Sequence, residues 1–230
     1  MHAVRTLAID TSLAAGSVAA LDAHAVAEAT LAAGDHARML AAALADVASR
    51  LGWSPRDAEL VAVIRGPGSF TGLRVGVATA KAVAWAGGAR LVGVSAFDVV
   101  ARRTARAQPD HRGPVAIAFD AGRGDVFAAE AAPDPAAPTG WTVSPAALHP
   151  AAAWFASLPA GSLISGPAVA GLGVTPPPGI LVAPRECWFP SAAEAGAAAR
   201  LLAAAGCCDD PAALVPDYLR PSYADEKRPR

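Results

Sequence analysis

The same strand–aspartate–turn–strand pattern opens both halves of the chain, and this repeat limits the available folds more than any other feature. In TLAIDTSLAAGSVAALD, residues 6–22, two apolar runs flank a turn of small residues, and Asp10 closes the first run. VAIAFDAGRGDVFAAEA, residues 115–131, repeats this order around Asp120. Apolar runs on either side of a small-residue turn predict a β-hairpin. A hairpin at the start of each half predicts a duplicated α/β architecture.

Helix and strand patterns alternate after the first hairpin, which favours the α/β fold class. In the first half we predict strands over 25–31, 59–65 and 91–94 and helices over 36–50, 72–85 and 96–107. The second half is poorer in such patterns. There we predict a loop over 133–140, a helix near 145–157, strands near 162–165 and 180–183, and a final helix over 191–205. Ser191 follows a proline and is a suitable N-cap for that last helix.

A short linker divides the chain into two lobes. The segment RAQPDHRGP, residues 106–114, changes abruptly to polar and turn-forming residues. The predicted organisation is an N-terminal lobe over 1–108, a linker over 109–114, a reduced second lobe over 115–189, a C-terminal helix and connection over 190–216, and a charged tail over 217–230.

Composition excludes several classes of protein. The 230 residues carry a formal net charge of −1, so no overall field would draw the chain onto nucleic acid or an anionic membrane. Charges interrupt every apolar run before it reaches the roughly 20 residues of a membrane span. The three cysteines form neither an even disulfide framework nor a C-x-x-C metal pair. Because MHAVRTLAIDTS lacks a signal-peptide pattern, we expect a cytoplasmic protein with no membrane partner.

The glycine-rich segment RGPGSFTGLRVG, residues 65–76, lies between a predicted strand and a predicted helix. Such a loop either cradles a phosphate or forms a tight strand-to-helix turn. It is not a Walker A loop, because five residues separate Gly66 from Gly72 and no Lys-Ser pair follows. A dinucleotide-binding loop would be followed by an acidic residue at the end of the next strand, where Val94 and Ser95 stand. A Rossmann-type oxidoreductase therefore lacks its ribose-binding acid, and the turn is favoured.

The helix after this loop, GLRVGVATAKAVAWA, carries apolar or small residues around almost its whole circumference. A helix of that kind is buried on all sides, so it needs cover beyond its own sheet. Either the preceding helix supplies this cover within the lobe, or the surface packs against another molecule; small residues at Gly76, Ala80 and Ala84 permit a close approach. Arg74 and Lys81 lie seven residues apart on one stripe, which indicates the rim of such a surface or an anion site.

Six segments of the chain form a recognisable set. They are LAIDTS at 7–12, HARML at 36–40, RGPGSFTGLRVGVATAKAVA at 65–84, LVGVSAFDVVA at 91–101, FDAGRGDVFAAE at 119–130 and PDYLR at 216–220. This set resembles the bacterial TsaB family, also called YeaZ, nearly continuously over the first 130 residues and more loosely afterwards. The most specific block is the family loop, which comprises Gly66, Pro67, Gly68, Ser69, Phe70, Thr71 and Gly72.

The resemblance implies an actin-like ATPase (ASKHA) fold with two related lobes, the second reduced. It implies an accessory subunit, without catalytic residues, that binds a TsaD-like transferase in the threonylcarbamoylation of N6 of tRNA adenosine 37 (t6A37 formation). A TsaE-like ATPase joins through the complex, tRNA is contacted only indirectly, and the chain alone forms a homodimer. The implied partner and dimer interface comprises His36, Met39, Leu40, Ala43, Leu44, Val47, Leu73, Arg74, Gly76, Val77, Ala80, Lys81 and Ala84. On this basis, an aspartate at position 77 or 80 is expected to abolish association without unfolding the chain.

The resemblance also indicates which chemistry is missing. In the catalytic paralogue, two histidines one helical turn apart follow the next strand and bind a metal ion. The matching segment here, Ser95–Val100, contains no imidazole, and two histidines at i, i+4 are what one helix needs to hold one ion. We therefore expect no metal site and exclude a metalloprotease.

Nucleotide binding is the remaining chemical hypothesis, because actin-like folds hold phosphates between their hairpins. The residues of this vestigial nucleotide site are Asp10, Thr11, Ser12, Asp120 and Gly122. Apolar residues at 13–15 stand where a glycine-rich phosphate turn is expected. The alternative is that the two aspartates hold their own turns through Asx hydrogen bonds. We expect no intrinsic cofactor; a nucleotide at the interface of the assembled complex, and an autonomous actin-like ATPase or kinase, are left open.

Overall fold

Each half of the chain builds its own β-sheet. The computed structural model describes residues 4–171 and 177–220. The strands are β1 (Thr6–Asp10), β2 (Gly16–Leu21), β3 (Val26–Leu31), β4 (Leu60–Gly66), β5 (Arg90–Ser95), β6 (Val115–Gly122), β7 (Asp125–Pro133), β8 (Trp141–Val143), β9 (Ala147–Pro150), β10 (Leu163–Ser165) and β11 (Leu181–Val182). The α-helices are α1 (His36–Arg50), α2 (Phe70–Gly87), α3 (Ala96–Ala107), α4 (Ala151–Ser157), α5 (Ala168–Gly171) and α6 (Ala192–Ala204).

The two sheets share one plan, in which the first strand of a hairpin also pairs in parallel with a later strand. The first sheet has the order β3–β2–β1–β4–β5, with β1 antiparallel to β2 and parallel to β4. The second has the order β11–β10–β6–β7–β8, with β6 antiparallel to β7 and parallel to β10. Parallel pairs require crossover connections. In the first half, α1 lies in the connection from β1 to β4, and α2 forms the connection from β4 to β5. The α/β class predicted from the repeated hairpin is confirmed.

Side chains that alternate along β1 place the core on both faces of the first sheet. Leu7 and Ile9 belong to a cluster with α1 and α2, whereas Ala8 between them belongs to a cluster with α3 and α6. The second cluster continues to Phe119 on β6, so α3 and α6 lie between the two sheets. Trp154 of α4 covers the outer face of the second sheet. The layers therefore run α1 and α2, first sheet, α3 and α6, second sheet, α4.

Helix α6 comes last in the chain but completes the core of the first lobe. A Cβ added at Gly196 would lie 2.6 Å from Cδ1 of Leu21 on β2, so the helix backbone lies directly on the sheet. The helix begins after Ser191, whose Oγ accepts a hydrogen bond from the Glu194 N–H at 3.3 Å. The predicted N-cap is confirmed.

Several elements differ from the sequence prediction. The helix predicted near 145–157 begins only at Ala151, because 147–150 form β9 and pair with β7. Strand β8 is not predicted by any local pattern, since it also depends on pairing with β7. Helix α2 begins at Phe70 rather than Gly72, because Ser69 serves as the N-cap and its Oγ accepts from the Gly72 N–H. Residues 221–230 of the predicted charged tail lie outside the described residues.

The described residues contain neither a membrane-spanning helix nor a group of metal ligands. No helix among them is long and apolar enough to cross a membrane. Across residues 4–171 and 177–220, no group of three or more His, Cys, Asp and Glu side chains is arranged to hold a metal ion. The cysteines are free thiols, with Cys187 buried and Cys207 and Cys208 exposed.

Candidate functional site

The glycine loop packs backbone against backbone on the turn between β1 and β2. The Ser69 N–H donates to the carbonyl of Ser12 at 2.7 Å, and Thr11 Oγ1 donates to the carbonyl of Gly72 at 2.7 Å. A Cβ added at Gly68 would lie 2.2 Å from the Ser12 carbonyl oxygen, and one added at Gly72 would lie 2.1 Å from that of Thr11. Glycine is therefore required by the close approach of two chain segments. The loop is a turn that positions α2.

The C-terminal segment closes over the start of α2. The rings of Phe70 and Tyr218 stack with centroids 4.7 Å apart, and the Arg74 guanidinium carbon lies 3.8 Å from the centre of the Phe70 ring. Arg74 Nε also donates to the Tyr218 hydroxyl at 2.9 Å. At the loop itself, a Cβ added at Gly66 would lie 2.8 Å from the carbonyl oxygen of Asp217. Sequence reasoning missed Tyr218, although the PDYLR motif that contains it carries part of the family resemblance.

The first-lobe residues of the predicted nucleotide site are buried and bonded to one another. Asp10 Oδ1 accepts from the Ser12 N–H at 2.9 Å and from Ser12 Oγ at 2.6 Å. Thr11, also fully buried, uses its hydroxyl on Gly72. Burial raises the pKa of Asp10 above its ordinary value, against the two hydrogen bonds from Ser12, which lower it. Asp10 therefore holds its own turn, as the Asx alternative predicts.

The second-lobe residues make the same kind of turn and are not brought to the same cavity. Asp120 Oδ1 accepts from the Gly122 N–H at 2.7 Å, which confirms the Asx alternative there as well. Asp10 lines a cavity of about 600 Å³ between the lobes, together with Phe189 and Arg103. Asp120 and Gly122 are not among the described residues that line this cavity.

An Asp10→Asn variant tests whether the Asp10 charge is needed. Asparagine keeps the Oδ1 acceptor but cannot ionise, and the raised pKa of Asp10 means that folding disfavours its charged form. Because folding raises the pKa of Asp10, the protonated carboxyl stabilises the fold at pH values below the ordinary pKa of 3.8, and this contribution is lost as pH rises through the folded pKa. We expect the variant to be more stable than the parent by about 1 to 2 kcal/mol at about pH 8, and the gain to shrink towards pH 4. Urea unfolding at both pH values measures this; a less stable variant at about pH 8 would contradict it.

Most of the predicted interface residues lie in the protein's own core, which corrects the sequence interpretation. The buried ones are Leu40, Leu44, Val47, Leu73, Gly76, Val77, Ala80 and Ala84. Six of them belong to one cluster with the first sheet: Leu40, Leu44, Val47, Val77, Ala80 and Ala84. The small residue at position 76 admits the Thr11 hydroxyl, since a Cβ there would lie 2.3 Å from Thr11 Oγ1. An aspartate at position 77 or 80 would therefore disrupt the fold and does not test an interface.

The other predicted interface residues reach the surface to different degrees. Met39 and Arg74 are exposed, whereas His36, Ala43 and Lys81 are partly buried. His36 Nε2 lies close to Gly16, the first residue of β2. A Cβ added at Gly16 would lie 3.1 Å from this nitrogen. Lys81 Nζ donates to the carbonyl of Ala212 at 3.4 Å. His36 and Lys81 therefore contact other segments of the same chain.

Exposed side chains form a stripe on the solvent side of α2. We call this stripe, together with Met39 of the contacting helix α1, the docking face. The spacing of three and four residues places the stripe on one side of the helix. It consists of Thr71, Arg74, Ala78, Ala82 and Trp85. Trp85 is 87% exposed, and Met39 is 38% exposed. The sequence pattern did not single out Trp85; an exposed tryptophan beside small residues is typical of an interaction surface.

A comparison with protein families identifies the region that holds this face. The family model described as TsaD: tRNA N6-adenosine threonylcarbamoyltransferase matches residues 24–147, just over half of the chain, so the chain falls within that family. A curated relative, the tRNA threonylcarbamoyladenosine biosynthesis protein TsaB of Escherichia coli, is 35% identical over 128 residues, 55% of this chain and 54% of that protein. TsaB of Bacillus subtilis is 35% identical over 74 residues, 32% of this chain and 31% of that protein. Within the matched family, the chain belongs to the TsaB (YeaZ) family.

Solved structures extend the likeness over 94% of the chain. A Pseudomonas aeruginosa protein described as similar to peptidase YEAZ has a TM-score of 0.76 and 25% sequence identity, and the match covers 94% of this chain and 100% of that one. The curated TsaB alignments, by contrast, span about half or less of their proteins. A tRNA N6-adenosine threonylcarbamoyltransferase of Sorangium cellulosum is 44% identical over 64 residues, 28% of this chain and 18% of that enzyme. This TsaB-family chain thus resembles a threonylcarbamoyltransferase over a short segment.

Proposed function

We propose that this TsaB-family chain is a non-catalytic scaffold subunit that binds a TsaD-like transferase in the threonylcarbamoylation of N6 of tRNA adenosine 37. The names of the curated relatives support the pathway. The observation that carries the scaffold role is the docking face, which ends in the exposed Trp85. The shared plan of the two sheets supports the actin-like ATPase (ASKHA) fold and the two-lobe division of the chain.

The shape of the docking face suits a second pair of helices. Ala78 and Ala82 are small, so a facing helix can approach closely, while Trp85 offers a large apolar anchor. Arg74 is held by Phe70 and Tyr218 and forms a polar end to the stripe. A self-complementary face of this kind forms a symmetric homodimer when the chain is alone. A TsaD-like partner, which shares the family model, replaces one copy through the same face.

The internal bonding of the hairpin turns supports a subunit without its own chemistry. Asp10 Oδ1 accepts from Ser12, and Thr11 bonds to the glycine loop, so these groups are already used within the chain. We propose no intrinsic cofactor, and a nucleotide site only at the interface of the assembled complex. The TsaE-like ATPase and tRNA are reached through that complex. The autonomous ATPase or kinase is the rival proposal, and ATP turnover by the isolated chain would favour it.

An Ala78→Asp variant tests the docking face. A carboxylate desolvated in an interface without a partner costs several kcal/mol, so we expect affinity for the TsaD-like protein of the same organism to fall at least about 100-fold. The thermal midpoint of the isolated variant should stay within about 2 °C of the parent, because position 78 is exposed. Light scattering on a sizing column, for the chain alone and mixed with the TsaD-like protein, measures both assemblies.

Two further variants make the result specific. Ala152→Asp introduces the same charge at an exposed position of α4, on the far side of the layers, and should leave association unchanged. Val77→Asp places the same charge in the core, at the residue before Ala78, and should unfold the chain. A monomeric parent chain that ignores the TsaD-like protein, or normal assembly by Ala78→Asp, would refute the proposal.

A further inference from the structure

The segment over residues 212–220, which we call the strap, begins as a fixed part of the first lobe. Leu214 is buried in the same cluster as α1 and α2. The Asp217 N–H donates to the carbonyl of Arg65 at 2.8 Å, and the two side chains pair with Oδ2 and Nε 3.0 Å apart. The residues after Asp217 therefore start from a fixed point beside the glycine loop.

Tyr218 joins the strap to the docking face. Its ring stacks on Phe70, and its hydroxyl accepts a hydrogen bond from Arg74 Nε at 2.9 Å. Arg74 belongs to the docking face, and Tyr218 is itself 41% exposed. A hydrogen bond is stronger when water is removed from around it. A molecule that covers Arg74 would therefore also hold Tyr218 in place.

Two residues further on, Arg220 contacts the second lobe at the turn between β6 and β7. Arg220 Nη1 donates to the carbonyl of Ala121 at 2.9 Å, and Nη2 donates to Asp125 Oδ2 at 2.7 Å. These two residues flank the turn, and both side chains of the ion pair are partly buried. Within the turn, Arg123 has a φ of 59°, which is unfavourable for a residue other than glycine. The contacts of Arg220 therefore help to hold a turn that local propensity disfavours.

The short distance along the chain links these two ends of the strap. Two residues span at most about 7 Å, so while Tyr218 stays on Phe70, Arg220 stays within reach of the turn. Pairing of Arg220 is then an intramolecular step with a high effective concentration. If Tyr218 leaves Phe70, Arg220 is held only from Asp217, and the turn opens more often.

We propose that the strap couples the docking face to the β6–β7 turn. A protein that covers Arg74 and Tyr218 holds the strap in place and, through Arg220, makes openings of that turn rarer. The covering protein is the TsaD-like partner, so this second step rests on the proposed function. The coupling between the two ends of the strap does not, because it lies within one chain.

Hydrogen exchange of the full chain alone tests the coupling, in a peptide that spans residues 119–126. Tyr218→Ala removes the contacts with α2, and Arg220→Ala removes those with the turn. We expect each to speed exchange of this peptide at least about 5-fold. The double variant should be no faster than the faster single variant, because either change releases the same link. Parent-like exchange in Tyr218→Ala, or a double variant in which the two effects multiply, would overturn the coupling.

A matched arginine variant and a distant peptide serve as controls. Arg50→Ala removes an exposed ion pair on α1 and should leave exchange of the 119–126 peptide at the parent rate. In the Tyr218 and Arg220 variants, a peptide from α1 should exchange as in the parent, which shows that the fold is intact. Equal acceleration by Arg50→Ala would contradict a specific link through the strap.

The second step is tested with the TsaD-like protein of the same organism at saturating concentration. Exchange of the 119–126 peptide should slow at least about 5-fold in the parent and should not slow in Arg220→Ala. Arg220 lies outside the docking face, so by linkage this variant should bind no more than about 5-fold more weakly. A complex without slowing in the parent, or with equal slowing in Arg220→Ala, would overturn this step. No complex at all would refute the proposed function and this step together, whereas exchange of the isolated chain still decides the coupling.

Discussion

Replacing Gly72 with alanine is expected to lower the free energy of unfolding by about 3 kcal/mol, at the upper end of what overpacking a core costs. In most helices this change is stabilising, because glycine is a poor helix former. Here the added Cβ would lie 2.1 Å from the carbonyl oxygen of Thr11, a backbone atom that cannot rotate away. The first turn of α2 and the β1–β2 turn must separate to admit it. Urea unfolding should show the loss, with a thermal midpoint lower by about 6 to 12 °C.

A second glycine provides the matched control. A Cβ added at Gly171 would meet no atom of residues 4–171 and 177–220 within 4 Å, so Gly171→Ala should change stability by no more than about 0.5 kcal/mol. The Gly72 variant should also bind the TsaD-like protein more weakly, since Arg74 and Ala78 move with the first turns of α2. If Gly72→Ala were as stable as the parent, the glycine loop would not be a packed turn, and a ligand role for its backbone would return.

Glu194→Gln is expected to cost about 3 to 5 kcal/mol, the range found when one partner of a buried ion pair is removed. The Glu194 side chain is 2% exposed, and its two oxygens accept from Arg102 Nε and Arg106 Nη2, each at 2.7 Å. Arg102 also donates to the carbonyl of Thr139 in the second lobe, at 2.7 Å. The carboxylate thus joins α6, α3 and the second lobe. Its loss leaves the mostly buried Arg102 without a counter-ion.

An exposed pair on α1 provides the comparison for Glu194. Asp46 and Arg50 pair four residues apart with about half of each side chain exposed, and Asp46→Asn should cost less than about 1 kcal/mol. Salt separates the two cases, because screening weakens exposed pairs and hardly affects buried ones. The loss from Glu194→Gln should persist at about 1 M NaCl, whereas that from Asp46→Asn should disappear. A Glu194→Gln variant with near-parent stability at both salt concentrations would show that the ion pair does not hold the lobes together.

The two hairpin turns show what local sequence could and could not predict. An aspartate before a turn of small residues predicts either a phosphate site or an Asx turn, and both interpretations use the same residues. The Oδ1 bonds of Asp10 and Asp120 show that an Asx turn forms at both positions. Sequence alone could not distinguish the two, because burial of Asp10 depends on strands and helices far away in the chain.

Helix α2 shows a limit of hydrophobic periodicity as a predictor of which helix face is buried. An almost fully apolar helix must be covered, but the pattern does not say which side the sheet covers. The structure assigns Val77 and Ala84 to the core and leaves the residues that follow them, Ala78 and Trp85, in solvent. Alanine occurs on both sides of α2, so residue type did not separate the buried face from the exposed one.

The sequence by itself determined the α/β class, the duplicated hairpins, the positions of α1, α2, α3 and α6, and the family resemblance. These follow from contacts between residues near in the chain or from motifs that stand in one segment. Only the tertiary structure decided that the glycine loop is a packed turn, that Tyr218 closes over α2, and that Glu194 and Arg102 join α6 and α3 to the second lobe. Each of these depends on segments about 40 to 150 residues apart, whose approach is set by burial of the shared core and not by local propensity.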